Sequence, residues 1–242
     1  MIEYTIPTKL LSGGNSNAKT DKNELETYIL YLAPHKQNSK KINLCPKASK
    51  GCAKACLFSA GRGRFSNVIK ARVNKTEYYI NNKKLFIGQL AIELLIIADK
   101  ATKQGKKIAV RLNGTSDVDF IYLLKKYGNL DVLNDKRFTN VIFYDYTAIL
   151  GKVKKYIGTN YHLTLSRKEN NEKDVNEALN LGANVSIVFK DGFPDNYKGY
   201  KVKDADKSDL VMINNKNVVL ALSAKGKAKN DKSGFVIDSN LI

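Results

Sequence analysis

Short runs rich in β-branched and aromatic residues recur through the second half of the chain, each ending in polar side chains: IAVRLNGTSD, NVIFYDYT, NYHLTLSR, ANVSIVFKDG and NVVLALSAKG. Segments with helical apolar spacing separate the first four of them, namely VDFIYLLKKYG, AILGKVKKY and EKDVNEALNLG. A strand followed by a helix and another strand is expected to pair in parallel, because the crossover returns the chain to the end where it began. The pattern predicts an α/β fold, read as a single (β/α) barrel-like or partial-barrel domain over residues 1–242. Upstream, SNVIKARVNKTEYYI and NNKKLFIGQLAIELLIIADKATKQG predict helices, with Gly105 as a carboxyl-terminal cap. The apolar stretch 85–98 is interrupted by Gln89 and Glu93, is too short to span a bilayer, and reads as a buried amphipathic helix. YTIPTKLL and TYILYLAP read as strands flanking a polar loop, SGGNSNAKTDKN.

In barrels and open α/β sheets alike, the carboxyl ends of parallel strands form the functional face. Arg111, Asn113, Thr115 and Ser116 of RLNGTSD, with Ser166 further on, are therefore candidate cofactor-binding residues. Asn and Ser suit amino and hydroxyl groups, and Arg111 suits a carboxylate. Asp117, Asp145 and His162 are the candidate catalytic residues. Among them His162 alone titrates near neutrality when unperturbed. Alternation along its strand sets His162, Thr164 and Ser166 on one face. Tyr144 and Tyr146 flank Asp145 and suit stacking or hydrogen-atom relay. Asp117, Asp119 and Asp145 would also suit a magnesium ion, although they form no compact acidic motif.

All three cysteines lie within twelve residues, inside NLCPKASKGCAKACLFSAGRGR (43–64). An odd count argues against a disulfide framework and for a reducing compartment. Cys45, Cys52 and Cys56, spaced Cys-x6-Cys-x3-Cys, would hold three irons of a [4Fe–4S] cluster and leave the fourth iron open to a ligand. Zinc is the alternative. It needs a fourth ligand, for which His35 or His162 is available. Three reduced, unliganded thiols are the third reading. Gly51, Gly61 and Gly63 give the segment backbone freedom, and Arg62 and Arg64 suit a phosphate or carboxylate.

Charge bounds the partners. Forty-one Lys and Arg against 23 Asp and Glu give a formal net charge of +18. Such an excess attracts polyanions, nucleic acid ahead of anionic membrane, although a Lys- and Asn-rich composition from an AT-rich genome would look similar. Basic residues are densest at 36–54 and 225–232, where Lys225, Lys227 and Lys229 suit a phosphate backbone. The amino terminus, MIEYTIPTKLL, lacks the basic-then-apolar pattern of a secretory signal. A cytoplasmic protein with no membrane partner is expected.

NLCPKASKGCAKACLFSAGRG, ARVNKT, VRLNGTSD, FYDYT, NYHLTLSR, GANVSIVF and AKGKAKNDKSGFV together resemble the phage gene-product-88-like family, in order and over about residues 30–237. That resemblance implies a phage or prophage origin and work inside a bacterial cell. A more distant likeness is to radical S-adenosylmethionine enzymes, which share an early three-cysteine loop, a (β/α) barrel and polar strand ends. It implies a [4Fe–4S] cluster and S-adenosylmethionine as cofactors. That superfamily spaces its cysteines Cys-x3-Cys-x2-Cys, and this chain has neither that spacing nor a Gly-Gly-Glu motif. The expected activities are, first, a radical-type iron–sulfur enzyme acting on a nucleic acid or nucleotide. The second is a metal-stabilised nucleic-acid-binding protein without catalysis, and the third a metal-dependent nuclease.

Overall fold

A computed structural model describes residues 4–13 and 25–241 of the chain. Its elements run β1 (Leu11–Gly13), β2 (Glu26–Leu30), α1 (Lys50–Lys54), α2 (Ser66–Asn81), α3 (Lys83–Gln104), β3 (Ile108–Arg111), α4 (Phe120–Gly128) and β4 (Val141–Thr147). They continue with α5 (Leu150–Tyr156), β5 (Tyr161–Ser166), α6 (Glu172–Asn180), β6 (Asn184–Lys190), β7 (Asn196–Tyr197), β8 (Tyr200–Asp204), α7 (Val211–Asn214), β9 (Val219–Ser223) and β10 (Val236–Asp238). The chain divides into two compact units, each assembled from three segments. The first is Met1–Pro46, Phe65–Asp145 and Thr159–Tyr161; the second is Lys47–Arg64, Tyr146–Gly158 and His162–Ile242.

In the first unit β2 pairs in parallel with β3, and β3 with β4, while β1 pairs antiparallel with β2. Three of the five residues of β2 and three of the four of β3 are buried, as suits strands covered on both faces. Helices α2 and α3 meet at Asn82, whose backbone leaves the helical region, and α3 caps at Gly105 as expected. Their aromatic side chains pack in the core with Phe120 of α4: Tyr79 and Phe86 lie 5.3 Å apart between ring centres, and Tyr79 and Phe120 lie 5.6 Å apart. Residues 4–10, read as a strand, instead run beside α2 and α3 without sheet pairing. The backbone amides of Leu10 and Leu11 donate to the Glu93 carboxylate, 2.7 and 2.9 Å away. Most of the expected polar loop SGGNSNAKTDKN lies outside the described residues.

In the second unit β6 is central. It pairs in parallel with β5, β9 and β10, with Thr164 opposite Asn184, Val185 opposite Val219 and Val236 opposite Val188. β10 takes up the edge of β6 just past the residues that β5 occupies. β8 adds in parallel to β9, and β7 turns back antiparallel on β8. Val175, Ala178 and Leu179 of α6 pack with Leu165, Val185, Ile187, Val219 and Ala221 in one apolar cluster.

The α/β class and the five expected strands are thus present. Closure into a barrel is not. Each unit's strands form an open row, with β1 at one margin of the first and β7 at one margin of the second. Closure depends on pairing between distant strands, and local periodicity carries no information about it.

Glu77 is fully buried on α2, and its carboxylate accepts from both the backbone amide and the hydroxyl of Ser39, each at 2.6 Å. Glu77→Ala strands these donors and is expected to cost about 2–3 kcal/mol. A lowered urea midpoint with an unchanged slope would register the loss.

Candidate functional site

At the carboxyl ends of β3 and β4 the first unit gathers several of the candidate residues around one carboxylate. Asp145 is fully buried. It accepts from the backbone amides of Leu112 (3.2 Å) and Asn113 (2.9 Å), from Asn113 Nδ2 (3.1 Å) and from the Tyr161 hydroxyl (2.8 Å). Arg111 Nε stands 3.6 Å from it. The Asn113 side-chain carbonyl accepts in turn from Ser116 Oγ and the Val118 amide, which folds RLNGTSD into a closed turn. A buried carboxylate needs such a set of donors, because none of its hydration survives. Both oxygens being engaged, Asp145 acts as a staple between strand ends, and proton transfer to a ligand would require it to release those partners.

Asp117 and Asp119 lie close enough to raise the Tyr161 pKa, which burial and Asp145 already push far above its usual value. Asp119 caps α4, accepting from the Tyr122 amide. Thr115 donates to the Leu32 carbonyl at 2.5 Å, and the Cys45 thiol lies 3.7 Å from the Thr115 carbonyl. Beside this turn a cleft of about 240 Å³ opens between Ile42, Leu44, Pro46, Tyr79, Lys83, Asp117 and Val118.

The second unit holds Cys52 and Cys56. Cys52 lies on the short helix α1, whose cap Ser49 accepts from the Cys52 amide at 3.1 Å, and Cys56 precedes the 3-10 helix Leu57–Ser59. The anchor of this segment is Glu169, just past β5. Its carboxylate accepts from Ser49 Oγ at 2.5 Å and from the Gly51 amide at 2.8 Å. Neighbouring Lys168 is buried and donates to the Lys47 carbonyl at 2.6 Å. Gly51 has no room for a side chain: a Cβ would overlap Ser233 Oγ and stand 2.7 Å from Phe235 Cβ. Arg167 donates to the carbonyls of Gly234 and Phe235, tying the end of β5 to the start of β10.

All three cysteines are half-buried and none is in a disulfide. Among the described residues no group of three or more His, Cys, Asp or Glu side chains stands ready to hold a metal ion. His162 lies at the start of β5, not at its carboxyl end, and burial followed by the charge of Lys216 lowers its pKa. Burial likewise lowers the pKa of His35. Ser166 accepts from Ser186 Oγ at 3.4 Å.

Two basic segments of the second unit come together. Gly226 packs against Ala60, so the 3-10 helix Gly226–Asn230 adjoins the turn that leads into Gly61–Arg64. Arg62, Arg64, Lys227 and Lys229 are exposed there. Lys225 is exposed but also paired with Asp206 at 2.8 Å. Among the described residues no helix is long and apolar enough to cross a membrane.

Tyr161, Ser49 and Glu169 were not legible as site residues. Tyr161 sits at a strand start and Glu169 inside a polar loop, positions where hydrophilic or isolated aromatic residues are ordinary. The one available signal was that Glu169 lies close behind the carboxyl end of β5, after Arg167 and Lys168.

Fold and site together define a mixed α/β protein with mostly parallel strands, whose second unit anchors the segment bearing Cys52 and Cys56 just past the end of β5. The chain belongs to the Gene product 88 family, whose profile matches residues 9–239. No curated protein and no solved structure matches it.

Removing the Asp145 carboxylate leaves several buried donors unpaired, so Asp145→Ala is expected to destabilise by about 3–5 kcal/mol, measured by urea unfolding. Burial pushes the Glu169 pKa up, but the Ser49 hydroxyl and Gly51 amide outweigh it, and the net shift is downward from 4.5. A lowered folded pKa stabilises above the unfolded value and loses that contribution as pH falls through the folded one. The stability gap between wild type and Glu169→Gln should therefore be full at neutral pH and shrink below about pH 4.5. A gap that grew on acidification would contradict the assignment.

Proposed function

We propose that the chain binds nucleic acid through the paired basic turns of its second unit, and that the adjoining cysteine segment is a ligand loop for a metal or iron–sulfur centre. The observation that carries the first part is the packing of Gly226 against Ala60, which sets Lys227 and Lys229 beside the turn bearing Arg62 and Arg64. Cations drawn from segments far apart in sequence make a surface, which a solvated run of lysines along one segment does not. The net charge of +18 supports the same partner. For the metal centre the support is the clustering of every cysteine in one segment and the Glu169–Ser49 anchor that positions Cys52. Reduced thiols and nucleic acid both belong to the bacterial cytoplasm, which is the compartment this reading assigns.

A radical-type iron–sulfur enzyme using S-adenosylmethionine is the second reading. It draws on the cysteines as ligands of an open cluster. Asn113 and Asp145, its expected strand-end groups, are already engaged with one another, which places it behind the first.

Binding of a labelled oligonucleotide, followed by fluorescence anisotropy at rising salt, tests the proposal. Log affinity should fall linearly with log salt. Replacing Arg62, Arg64, Lys227 and Lys229 by Ala should reduce that slope by about 0.7 per lost phosphate contact on single strands and about 0.9 on duplex. Binding that ignores salt, or a slope untouched by the four replacements, would sink it. Iron, sulfide and zinc content of protein purified without oxygen, compared with Cys52→Ala, tests the centre separately. Absence of all three would remove the centre and leave the binding surface standing.

A further inference from the structure

The basic turns of the second unit carry one side chain that a phosphate cannot use. Leu57 opens the 3-10 helix Leu57–Ser59 and is 58% exposed, while Phe58 beside it is buried. The Ala60 amide donates to the Leu57 carbonyl at 3.0 Å and closes the turn. Side chains three apart in a 3-10 turn lie one above the other, so Leu57 and Ala60 share a side. Gly226 packs against that side, since a Cβ on it would stand 3.1 Å from Ala60 Cβ. The 3-10 helix adjoins both Gly61–Arg64 and Gly226–Asn230. Leu57 is therefore set at the seam of the two turns that present Arg62, Arg64, Lys227 and Lys229. The acids next to the seam are turned to partners of their own. Asp206 holds Lys225 and the Ser223 amide, and Asp231 holds the Ser233 hydroxyl and the Val236 amide.

Single exposed leucines are ordinary on protein surfaces. This one lies where four cations call for a polyanion, and an aliphatic side chain gains nothing from a polyanion unless it reaches the bases. Single strands and RNA loops are held by stacking bases on exposed rings. Among the described residues of the second unit the exposed large apolar side chains are Leu57, Ile157 and Leu181, none of them aromatic. Cations around an aliphatic wedge suit a duplex instead, entered from its minor groove. We propose that this surface takes double-stranded DNA from the minor-groove side, with Leu57 inserted at one base step. The inference rests on the nucleic-acid reading above and narrows it to duplex DNA. Insertion unstacks the step and kinks the duplex by about 20–90°, which brings more backbone within reach of the four cations. Pyrimidine–purine steps give way most readily, so a TA step is the preferred point of entry.

A DNA duplex of about 20 base pairs with a central TA step, carrying a fluorescence donor and acceptor at its ends, tests this with the full chain. Energy transfer should rise on binding, because a bend shortens the distance between the ends. Leu57→Ala should keep the melting temperature and the salt slope of binding, and leave transfer at the free-duplex value. Its affinity for the duplex should fall by about tenfold, the order expected when one leucine is no longer buried. Leu57→Met, which retains an aliphatic wedge, should keep the bend. A bound duplex that stays straight, or a bend that survives Leu57→Ala, overturns the inference and leaves nucleic-acid binding in place. Tighter binding to the matching single strand or to an RNA duplex does the same. Absence of salt-dependent binding to all three probes overturns the underlying reading as well.

Discussion

A carboxylate turned toward the backbone must be met by donors, and this fold uses four acidic side chains in that way, Asp145 and Glu77 fully buried and Glu93 and Glu169 half-buried. Asp145 collects the amides that the strand-end turn after β3 leaves unpaired. Glu77 does the same for the turn at Ser39, Glu93 for the backbone at Leu10 and Leu11, and Glu169 for the amino end of α1. In each case a single acidic side chain supplies acceptors to irregular backbone that no ladder can satisfy. The alternative, an unpaired buried amide, costs about 1–3 kcal/mol apiece. Irregular segments are therefore as firmly specified as the strands.

That use of acids has an electrostatic side. The chain has 23 acidic residues against 41 basic ones. Acids turned inward as backbone acceptors do little to screen surface lysines and arginines. Arg62, Arg64, Lys227 and Lys229 stay exposed on the second unit, where electrostatic attraction acts before any contact forms.

How far the fold was legible depended on burial. The runs IAVR, VIFYDYT, YHLTLS, NVSIVFK and VLALS were readable as strands because parallel strands covered on both faces must be apolar. β7 and β8 escaped notice because NYKGYKVKD is lysine-rich and half-exposed, so no apolar period marks it. β10 escaped because three residues carry no period at all. At the site, Arg111, Asn113, Ser116 and Asp145 were legible from their shared strand ends, and they do meet. Tyr161 and Glu169 were not, since each acts on a segment remote in sequence: Glu169 bonds to Gly51 across 118 residues. Helix α3 shows the converse. Its apolar residues were plain in the sequence, but only the structure separates those that face the core from those that face water.

The separation between Gly51 and Glu169 also sets an order of events during synthesis. At about 5–20 residues per second on the ribosome, the cysteine segment emerges on the order of ten seconds before the residue that anchors it. During that interval Cys52 and Cys56 lie on a tether with neither the Ser49–Glu169 bond nor β10 to hold them. The thiols are then at their most reactive and least shaped. The segment waits for the last third of the chain before it is anchored, and oxidation in that window would act on cysteines that form no disulfide in the folded chain.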